Sequence, residues 1–545
     1  MPQEQPGYNA AIAVNQVGYR PESHKYAVAK DVGGTCQLIN AKSGETVYSA
    51  EAEQVHDHTN DLDVYQFDFS TVTAPGQYYV QNQNGRSYPF MIGEPLYRPL
   101  QNAVVKALYF QRCGCALLPE YAGQFTHARC HTQKTAKVAP DCTEQLPDIT
   151  GGWHAAGDFG RYITPANQCI FNLLYMYELF PKAVCDDLNI PETGSGVPDL
   201  LSEARYELEW MLKMQAPSGG VYHKLCSTEF APPHSMPEDD DFELFAAPIS
   251  LQATAGFAAA TAAASRIYRA FDAAFADRCL HAAKAAFAFA EAHLDDIPVD
   301  IGTVSTAPCG GGVYGDPCAF DELYWASAEL LRATGDPFYE QRFAHYYEQD
   351  FSKTDFGAYN QGGHGSLCYC LYEHADPALR QKVLADITAG AQRAKATSEK
   401  DGYGVALPAD GYCWGSNAAL TNLLGNAVSA AVLLNTDEFD DCIRFGIDYI
   451  LGCNILSKCY ITGFGTDSVR NPHHRPCQTD GIDEPIPGFV SGGPNAEQRP
   501  WDAEGKPPAA CFIDNEWSYT TNEVTIYWNT SAAFVLGYLT NKFEA

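Results

Sequence analysis

Residues 251–271 have the sequence LQATAGFAAATAAASRIYRAF, which predicts a helix that neighbouring helices can approach closely. Alanine has the highest helix propensity, and its small side chain lets helices pack tightly. Further helices are predicted after Asp199 and over residues 277–294, 322–334, 337–349, 377–397, 418–434, 439–451 and 529–539. About ten helices without heptad repeats favour a toroid of paired helices over a four-helix bundle.

The first 95 residues favour β-structure. Turn signals such as Gly33-Gly34, Pro75-Gly76 and Asn84-Gly85 separate short alternating runs. The runs are residues 11–14, 26–28, 36–39, 64–69, 77–80 and 88–91. Six or seven short strands at this spacing are typical of a small sandwich. The sequence therefore predicts a β-domain over residues 1–95 and an α-helical domain over residues 96–545.

Composition excludes several classes of function. The chain has 545 residues, 46% of them hydrophobic, and a formal net charge of −32. Nucleic acids and anionic membrane surfaces attract basic proteins, so neither is an expected partner. No uncharged apolar run reaches the roughly 18 residues that a membrane span requires. The excess of acid suits a protein that binds a neutral ligand or cations.

The cysteines and the N-terminus bear on location. An odd count of 19 cysteines favours reduced thiols over a disulfide framework. Residues 1–8, MPQEQPGY, contain neither the basic nor the apolar region of a signal peptide. We therefore expect a cytoplasmic protein, or a secreted one if a leader has been removed.

Two segments contain carboxylates in settings that suit catalysis. Asp158 lies in the Gly- and aromatic-rich loop of residues 148–162, which can place a carboxylate at the floor of a cleft. The alternative is a helix cap. Glu523 precedes the last predicted helix and would be a general acid if burial raised its pKa. Its alternative is a capping box with Thr520.

Two further motifs suggest ligand binding. His473 and Arg475, in the sequence NPHHR, can donate hydrogen bonds to ligand hydroxyls; a metal fragment and a solvated turn are the alternatives. A second set combines two thiols and two imidazoles, a complete tetrahedral zinc set. Its members are Cys113, Cys130, His131 and His154. Isolated buried cysteines are the alternative, although the adjacency of Cys130 and His131 favours a metal.

Nine segments, in order along nearly the whole chain, together resemble glycoside hydrolase family 9, in its branch with an N-terminal immunoglobulin-like domain. They are VNQVGY (14–19), QRCG (111–114), CH (130–131), GGWH (151–154), GVPDLL (196–201), GVYHK (220–224), GFG (463–465), NPHHR (471–475) and NEV (522–524). The resemblance implies an Ig-like β-sandwich followed by an (α/α)6 barrel.

The resemblance also implies roles for individual residues. Asp158 matches the general base and Glu523 the general acid of an inverting hydrolase, whose carboxylates stand roughly 6.5–9.5 Å apart around a water. His473 and Arg475 match residues that bond the sugar. Further sugar contacts are expected from Tyr519, Trp414 and Trp153. The thiol and imidazole set matches a structural zinc site.

The resemblance fails at one position. The family's loop contains two aspartates, and the first is replaced here by Ala155. That aspartate helps to position the attacking water, so hydrolysis by this chain should be strongly reduced. Either the residue was changed to trap a substrate complex, or the chain is a naturally weakened glycan-binding relative.

Calcium sites are implied as well, because members of the branch carry calcium loops on the barrel. One candidate group is Asp316, Asp321 and Glu322, and another is Glu192 and Asp199. Calcium requires six to eight oxygen ligands. Solvated acids at a helix N-terminus are the alternative for each group.

The expected function is cleavage of β-1,4-glucosidic bonds in cello-oligosaccharides or soluble β-glucans. An exo-acting β-glucosidase or β-glucosaminidase on the same scaffold is one alternative. A non-catalytic carbohydrate-binding protein is another, because of Ala155. A metal-dependent hydrolase that uses the Cys/His set is the third.

Overall fold

The computed structural model describes residues 11–30, 33–138, 144–300 and 311–544. The segment used to predict the absence of a signal peptide lies outside them. Nine strands lie in the part of the N-terminal domain that the structure describes. They are β1 (Ile12–Ala13), β2 (Gly18–Tyr19), β3 (Tyr26–Ala29), β4 (Gly34–Asn40), β5 (Thr46–Asp57), β6 (Leu62–Asp68), β7 (Gly76–Asn82), β8 (Gly85–Arg86) and β9 (Phe90–Ile92).

The long strand β5 joins the two layers of the sandwich. Its first half pairs antiparallel with β4, from Thr46 to Ala52, and its second half pairs with β6. Inward-facing side chains such as Leu38, Phe67 and Val80 form a separate buried core. Strand β5 was not predicted from the sequence, because most of its side chains are exposed and polar. The predicted β-sandwich is confirmed.

Fifteen helices lie in the part of the second domain that the structure describes. They are α1 (Tyr97–Lys106), α2 (Pro119–Ala122), α3 (Ile163–Leu179), α4 (Asp199–Lys213), α5 (Leu251–Ile267), α6 (Ala273–Ala292), α7 (Phe320–Thr334), α8 (Pro337–Tyr347), α9 (Gly362–Cys370), α10 (Pro377–Ser398), α11 (Ser416–Leu434), α12 (Asp440–Ile450), α13 (Arg475–Thr479), α14 (Tyr519–Asn522) and α15 (Ile526–Phe543).

Six of these helices form an inner ring, α3–α5–α7–α9–α11–α15, in which α15 packs on α3 and closes the circle. The outer helices α4, α6, α8, α10, α12 and α1 pack against this ring. Inner helices are buried nearly all round, whereas outer ones bury one face. This arrangement confirms the predicted toroid of paired helices.

Helix α11 is long and apolar enough to cross a bilayer by length and composition alone. It belongs to the inner ring, however, and 67% of the apolar window is buried inside the protein. Packing in the barrel core therefore accounts for its apolar composition.

A five-stranded sheet at one end of the barrel was not predicted. It consists of β10 (Ala136–Val138), β11 (Gln145–Leu146), β12 (Arg161–Tyr162), β13 (Lys224–Ser227) and β14 (Leu244–Ala246), in the order β11-β10-β14-β13-β12. Its strands have two to four residues, too few for a period-two pattern to stand out. The sheet matters because β12 directly follows the loop that contains Asp158.

The VNQVGY motif joins the two domains. The side chain of Asn15 donates a hydrogen bond of 2.7 Å to buried Asp448 on α12. The side chain of Gln16 donates to the carbonyl of Ser457 and accepts from the backbone N–H groups of Thr466 and Asp467. Two adjacent amides thus satisfy four polar groups of the barrel.

Substitution Asn15→Ala should lower the stability of the protein. The change removes a donor from Asp448, whose pKa burial already raises to about 6. Leaving a buried acceptor unsatisfied costs about 1–3 kcal/mol. Calorimetry should show a lower Tm for Asn15→Ala, with no shift for Gln83→Ala at an exposed turn. An unchanged Tm for Asn15→Ala would show that this bond does not stabilise the domain contact.

Candidate active site

A cavity of about 730 Å³ opens at the end of the barrel near the second sheet. Both predicted catalytic carboxylates, Asp158 and Glu523, line it. Its other walls are largely aromatic. The aromatic lining residues are Tyr162, Phe230, Tyr314, Tyr359, Trp414, Tyr519, Tyr527 and Trp528. A concave, mostly apolar site with a few convergent polar groups is the usual form of a ligand-binding cavity.

The loop that contains Asp158 is held through its backbone. Ala155 donates its N–H to the carbonyl of Gly160 at 2.8 Å and accepts from the N–H of Ile526 at 2.9 Å. Arg475 bonds the carbonyl of Gly157 with its guanidinium at 3.0 Å. Asp158 does not cap a helix, because α3 begins at Ile163 and Tyr162 occupies the N-cap position. The alternative of a helix cap is therefore wrong.

Glu523 immediately follows the short helix α14 and precedes α15. Ser518 occupies the N-cap position of α14, and Thr520 lies inside the helix. The capping box of Thr520 with Glu523 is therefore not formed. The Glu523 carboxylate accepts a hydrogen bond of 2.9 Å from the indole N–H of Trp414. Burial and the negative charge of Asp158 raise the pKa of Glu523 to about 8. This carboxyl group is therefore protonated at neutral pH.

Short backbone bridges bring His473 and Arg475 to the same cavity. His473 donates its N–H to the carbonyl of Asn522 at 2.8 Å. Its Nδ1 lies 2.7 Å from the carbonyl of Glu516, which can only accept. Burial lowers the pKa of His473, so the ring is neutral and Nε2 is left as an acceptor for a ligand hydroxyl. The sequence predicted a donor here.

A pair of residues behind the catalytic loop was not predicted. His474 is neutral, since burial lowers its pKa to about 3, and its Nδ1 accepts from Cys477. Its Nε2 therefore donates to the side-chain oxygen of Gln111 at 2.9 Å. Gln111 in turn donates to the carbonyl of Ala156 at 3.1 Å. The QRCG and NPHHR motifs contained both residues, but only the fold shows the contact.

The structure corrects the prediction for Trp153. This side chain is fully buried, its indole donates to Glu203 at 2.8 Å, and it does not line the cavity. It is a core residue rather than a sugar contact. Trp414 and Tyr519 do line the cavity, with 42% and 49% of their surface exposed and ring centroids 5.4 Å apart. Ala155 is completely buried beneath the loop.

The four predicted zinc ligands converge. The candidate ligand atoms of Cys113, Cys130, His131 and His154 all lie within 4.8 Å of one another, and all four residues are buried. The two imidazole nitrogens are 3.3 Å apart. Two nitrogens about 2.05 Å from a tetrahedral zinc stand about 3.3 Å apart, so this spacing fits the ion. Asp240 contacts the other nitrogen of His131, as a partner of a metal-bound imidazole commonly does.

Two members of the first predicted calcium group, Asp316 and Asp321, also converge. Ligand atoms of Asp316, Cys318 and Asp321 lie within 4.8 Å of one another. Among the described residues, no donor bonds either carboxylate oxygen of the fully buried Glu322. Burial and neighbouring acids raise the pKa of Asp316 to about 7 and that of Asp321, mainly through burial, to about 6. Asp316 accepts from Gln252 and Asp321 from the N–H of Gln361, but a buried Glu322 without a donor beside two further acids fits a cation among them.

The two members of the second predicted calcium group, Glu192 and Asp199, bond to different partners. Both oxygens of Glu192 accept from the guanidinium of Arg112, at 3.0 and 2.9 Å. Asp199 accepts from the N–H of Leu188 and the hydroxyl of Thr193 at the start of α4. Arg112 also binds Glu203, and Oδ1 of Asp199 receives no hydrogen bond among the described residues, so calcium at this second group stays a prediction.

The geometry agrees with known protein families. A model of the cellulase N-terminal ig-like domain matches residues 8–87, and the model of glycosyl hydrolase family 9 matches residues 97–536. This chain belongs to glycosyl hydrolase family 9. Its ring of helices is the (α/α)6 barrel of that family, and the N-terminal sandwich is the Ig-like domain that the sequence predicted.

Individual family 9 proteins resemble the chain along almost its whole length. A cellodextrinase of Butyrivibrio fibrisolvens is 32% identical and covers 96% of this chain and 98% of its own length. The structure of AaCel9A in complex with cellobiose-like isofagomine has a TM-score of 0.89 at 33% identity, over 97% and 99% of the two chains. A Zn-binding triple mutant of the family 9 endoglucanase J30 has a TM-score of 0.87 at 29% identity, over 95% and 99%.

Substitution Gln111→Ala should loosen the catalytic loop. It removes the only side chain between His474 and the carbonyl of Ala156, and leaves two buried groups unpaired. Amide hydrogen exchange should become faster in peptides that cover residues 154–160. Gln101→Ala removes another buried glutamine, on α1, and should leave exchange in that loop unchanged. Equal exchange in the two variants would contradict a role for Gln111 in holding the loop.

Proposed function

We propose that this chain is a glycoside hydrolase of the inverting type that acts on β-1,4-linked glucans, with short cello-oligosaccharides as its preferred substrates. One observation supports the proposal above the others. The raised pKa of Glu523 keeps this carboxyl group protonated at neutral pH, in the cavity that Asp158 also lines. A protonated carboxyl group that shares one cavity with a second acidic residue is the arrangement that acid–base hydrolysis of a glycoside requires.

The reaction would use these groups as follows. Asp158 takes a proton from a water molecule while that oxygen attacks the anomeric carbon. Glu523 gives its proton to the glycosidic oxygen, which leaves as a hydroxyl group. His473 and Arg475 bind sugar hydroxyls, and the faces of Trp414 and Tyr519 stack on sugar rings. Family 9 relatives named for cellodextrins and cellobiose-like ligands support the choice of substrate.

The alanine at position 155 supports a second candidate, a carbohydrate-binding protein with little or no turnover. An aspartate there would give the attacking water a second acceptor, and alanine gives none. The backbone bonds of Ala155 to Gly160 and Ile526 hold the loop independently of its side chain. The proposed sugar-binding side chains therefore keep their places in the cavity without an aspartate at position 155.

Substitution Ala155→Asp should increase the hydrolysis of cellotetraose by about 10²-fold, the usual lower range for a positioned acid–base group. Reducing-sugar release and chromatography of the products would measure the rate and separate exo from endo cleavage. Ala155→Asn supplies an amide of similar size without a carboxylate and should remain near the rate of the unchanged chain. Mixed-linkage glucan and chito-oligosaccharides would test the alternative sugars.

The double variant Ala155→Asp, Glu523→Gln tests the role of the acid. We expect it to lose the hydrolytic activity that Ala155→Asp gains. If Ala155→Asp and the unchanged chain both bind cellotetraose in isothermal titration but neither hydrolyses any of the sugars, the hydrolase proposal is wrong. The binding-protein candidate would then be correct.

We further propose that Cys113, Cys130, His131 and His154 hold one structural zinc ion. Four protein ligands leave no open position, which opposes a role for this metal in hydrolysis. The site fastens the loop of Cys130 and His131 to His154, which directly precedes Ala155. The Zn-binding family 9 variant named above supports a metal in this family's scaffold.

Elemental analysis should find one zinc per chain, and Cys113→Ser should lose it and lower the Tm. Cys115→Ser is the matched control, because this half-buried thiol lies two residues away and outside the cluster. A purified chain that is stable, folded and free of zinc after growth in zinc-supplied medium would refute the site.

We propose calcium for the group of Asp316, Asp321 and Glu322. Hard carboxylate oxygens suit calcium, and an ion there would neutralise acids that burial otherwise makes unfavourable. The group lies at the start of the inner helix α7, so the ion would stabilise the barrel. Elemental analysis of Glu322→Gln beside the unchanged chain tests it. A calcium content that is zero in both would exclude the site.

A further inference from the structure

The indole N–H of Trp414 contacts the carboxyl group that we assign as the acid. Its Nε1 lies 2.9 Å from Oε2 of Glu523. The sequence suggested Trp414 only as a wall for sugar rings, which would use the face of the ring. The hydrogen bond to Glu523 involves the edge of the indole ring, so stacking on a sugar does not account for it.

The position of Trp414 is built into the fold. Gly415, the next residue, has a φ of +84° and ends the loop before α11. A Cβ on Gly415 would lie 2.9 Å from the ring of Trp528 on α15, so the chain passes too close to that ring for any larger residue. The turn and α15 thus fix where Trp414 stands relative to Glu523, which lies just before α15.

An indole N–H is a donor and cannot accept a proton or a hydrogen bond. Oε2 of Glu523 must therefore act as an acceptor towards Trp414, because a proton on Oε2 that pointed at the indole would face another donor. The carbonyl oxygen of a neutral carboxyl group accepts more strongly than its hydroxyl oxygen, so this bond favours Oε2 as the carbonyl oxygen and the proton on Oε1. When that proton leaves, the same N–H stabilises the negative charge that develops on the carboxylate.

We propose that Trp414 is a positioning residue for the acid: its N–H keeps Oε2 of Glu523 unprotonated, so that Oε1 carries the proton towards the glycosidic oxygen. The inference rests on the proposed function for its catalytic meaning, but the contact itself does not. Trp414 lines the cavity and keeps 42% of its surface exposed, so one side chain would both contact a sugar and orient the acid.

Other titratable groups around Glu523 must be separated from this effect. Asp158 raises the pKa of Glu523 and Arg475 lowers it. The neighbouring phenols and the thiol next to Trp414 all have raised pKa values and remain neutral near pH 8. They are Tyr162, Tyr314, Tyr359, Tyr527 and Cys413. Tyr519 packs on the indole and His473 on Tyr519, and Glu523→Gln keeps both, so a titration that this variant abolishes belongs to Glu523.

A nuclear magnetic resonance titration tests the contact without requiring any activity. The chain is labelled with ¹⁵N-tryptophan, and the Trp414 indole signal is assigned by its loss in Trp414→Phe. We expect this signal to move downfield as pH rises through about 8, as the carboxylate becomes charged, and to stay fixed in Glu523→Gln. A Trp414 signal that does not titrate, or that titrates equally in Glu523→Gln, would overturn the proposal even if the chain proves to be a hydrolase.

Kinetics then tests the catalytic meaning, in the Ala155→Asp form. Trp414→Phe keeps an aromatic face but loses the donor. We expect kcat to fall about 10-fold with KM within about two-fold, and the alkaline limb of the pH profile to move upwards, because a lost donor raises the pKa of Glu523. Trp501→Phe, at an exposed tryptophan, should change neither. A rise in KM alone, with the pH profile unchanged, would show that Trp414 is only a sugar platform.

Discussion

One backbone hydrogen bond, from the N–H of Ile526 to the carbonyl of Ala155, connects the two halves of the candidate active site. Ile526 begins α15, the helix that closes the inner ring against α3. Asp158 precedes α3 and Glu523 precedes α15, so closure of the ring brings the two carboxylates to one cavity. The site exists only when the whole barrel has formed.

Burial at this junction raises the pKa of the acid and lowers the pKa of the imidazoles, because it disfavours the charged form of each. Both groups are therefore neutral, as the proposed chemistry requires. A carboxyl group loses hydration of its charged form and becomes a stronger base, which is why the pKa of Glu523 rises to about 8. Imidazoles lose hydration of their charged form as well, so His473 and His474 stay neutral. Neutral imidazoles can accept from ligand or backbone groups while donating to fixed carbonyls.

Several groups of polar contacts hold the segments behind the cavity in place. Gln111 and His474 hold the carbonyl of Ala156, and the Cys/His cluster fastens the residues just before Ala155. At the other side, Asn15 and Gln16 of the Ig-like domain bond to α12 and to the loop after it. Each domain thus satisfies polar groups of the other, which explains why the sandwich stays packed on the barrel.

The sequence alone determined the β-sandwich, the helical barrel and the identity of most candidate site residues, because hydrophobic periodicity and motif order are local properties of the chain. The resemblance also predicted that Ala155 stands where the family has an aspartate. Strand β5 and the second sheet were missed, since exposed polar strands and strands of two to four residues carry no clear pattern.

Only the tertiary structure decided which side chains meet. Trp153 lies outside the cavity and bonds Glu203, and Glu192 pairs with Arg112. Gln111 contacts His474, and Trp414 contacts Glu523. These partners are far apart in the chain, and local spacing cannot encode the direction in which a side chain points after the helices pack. Desolvation likewise depends on every surrounding element, so the protonation of Glu523 follows from the fold rather than from its neighbours in sequence.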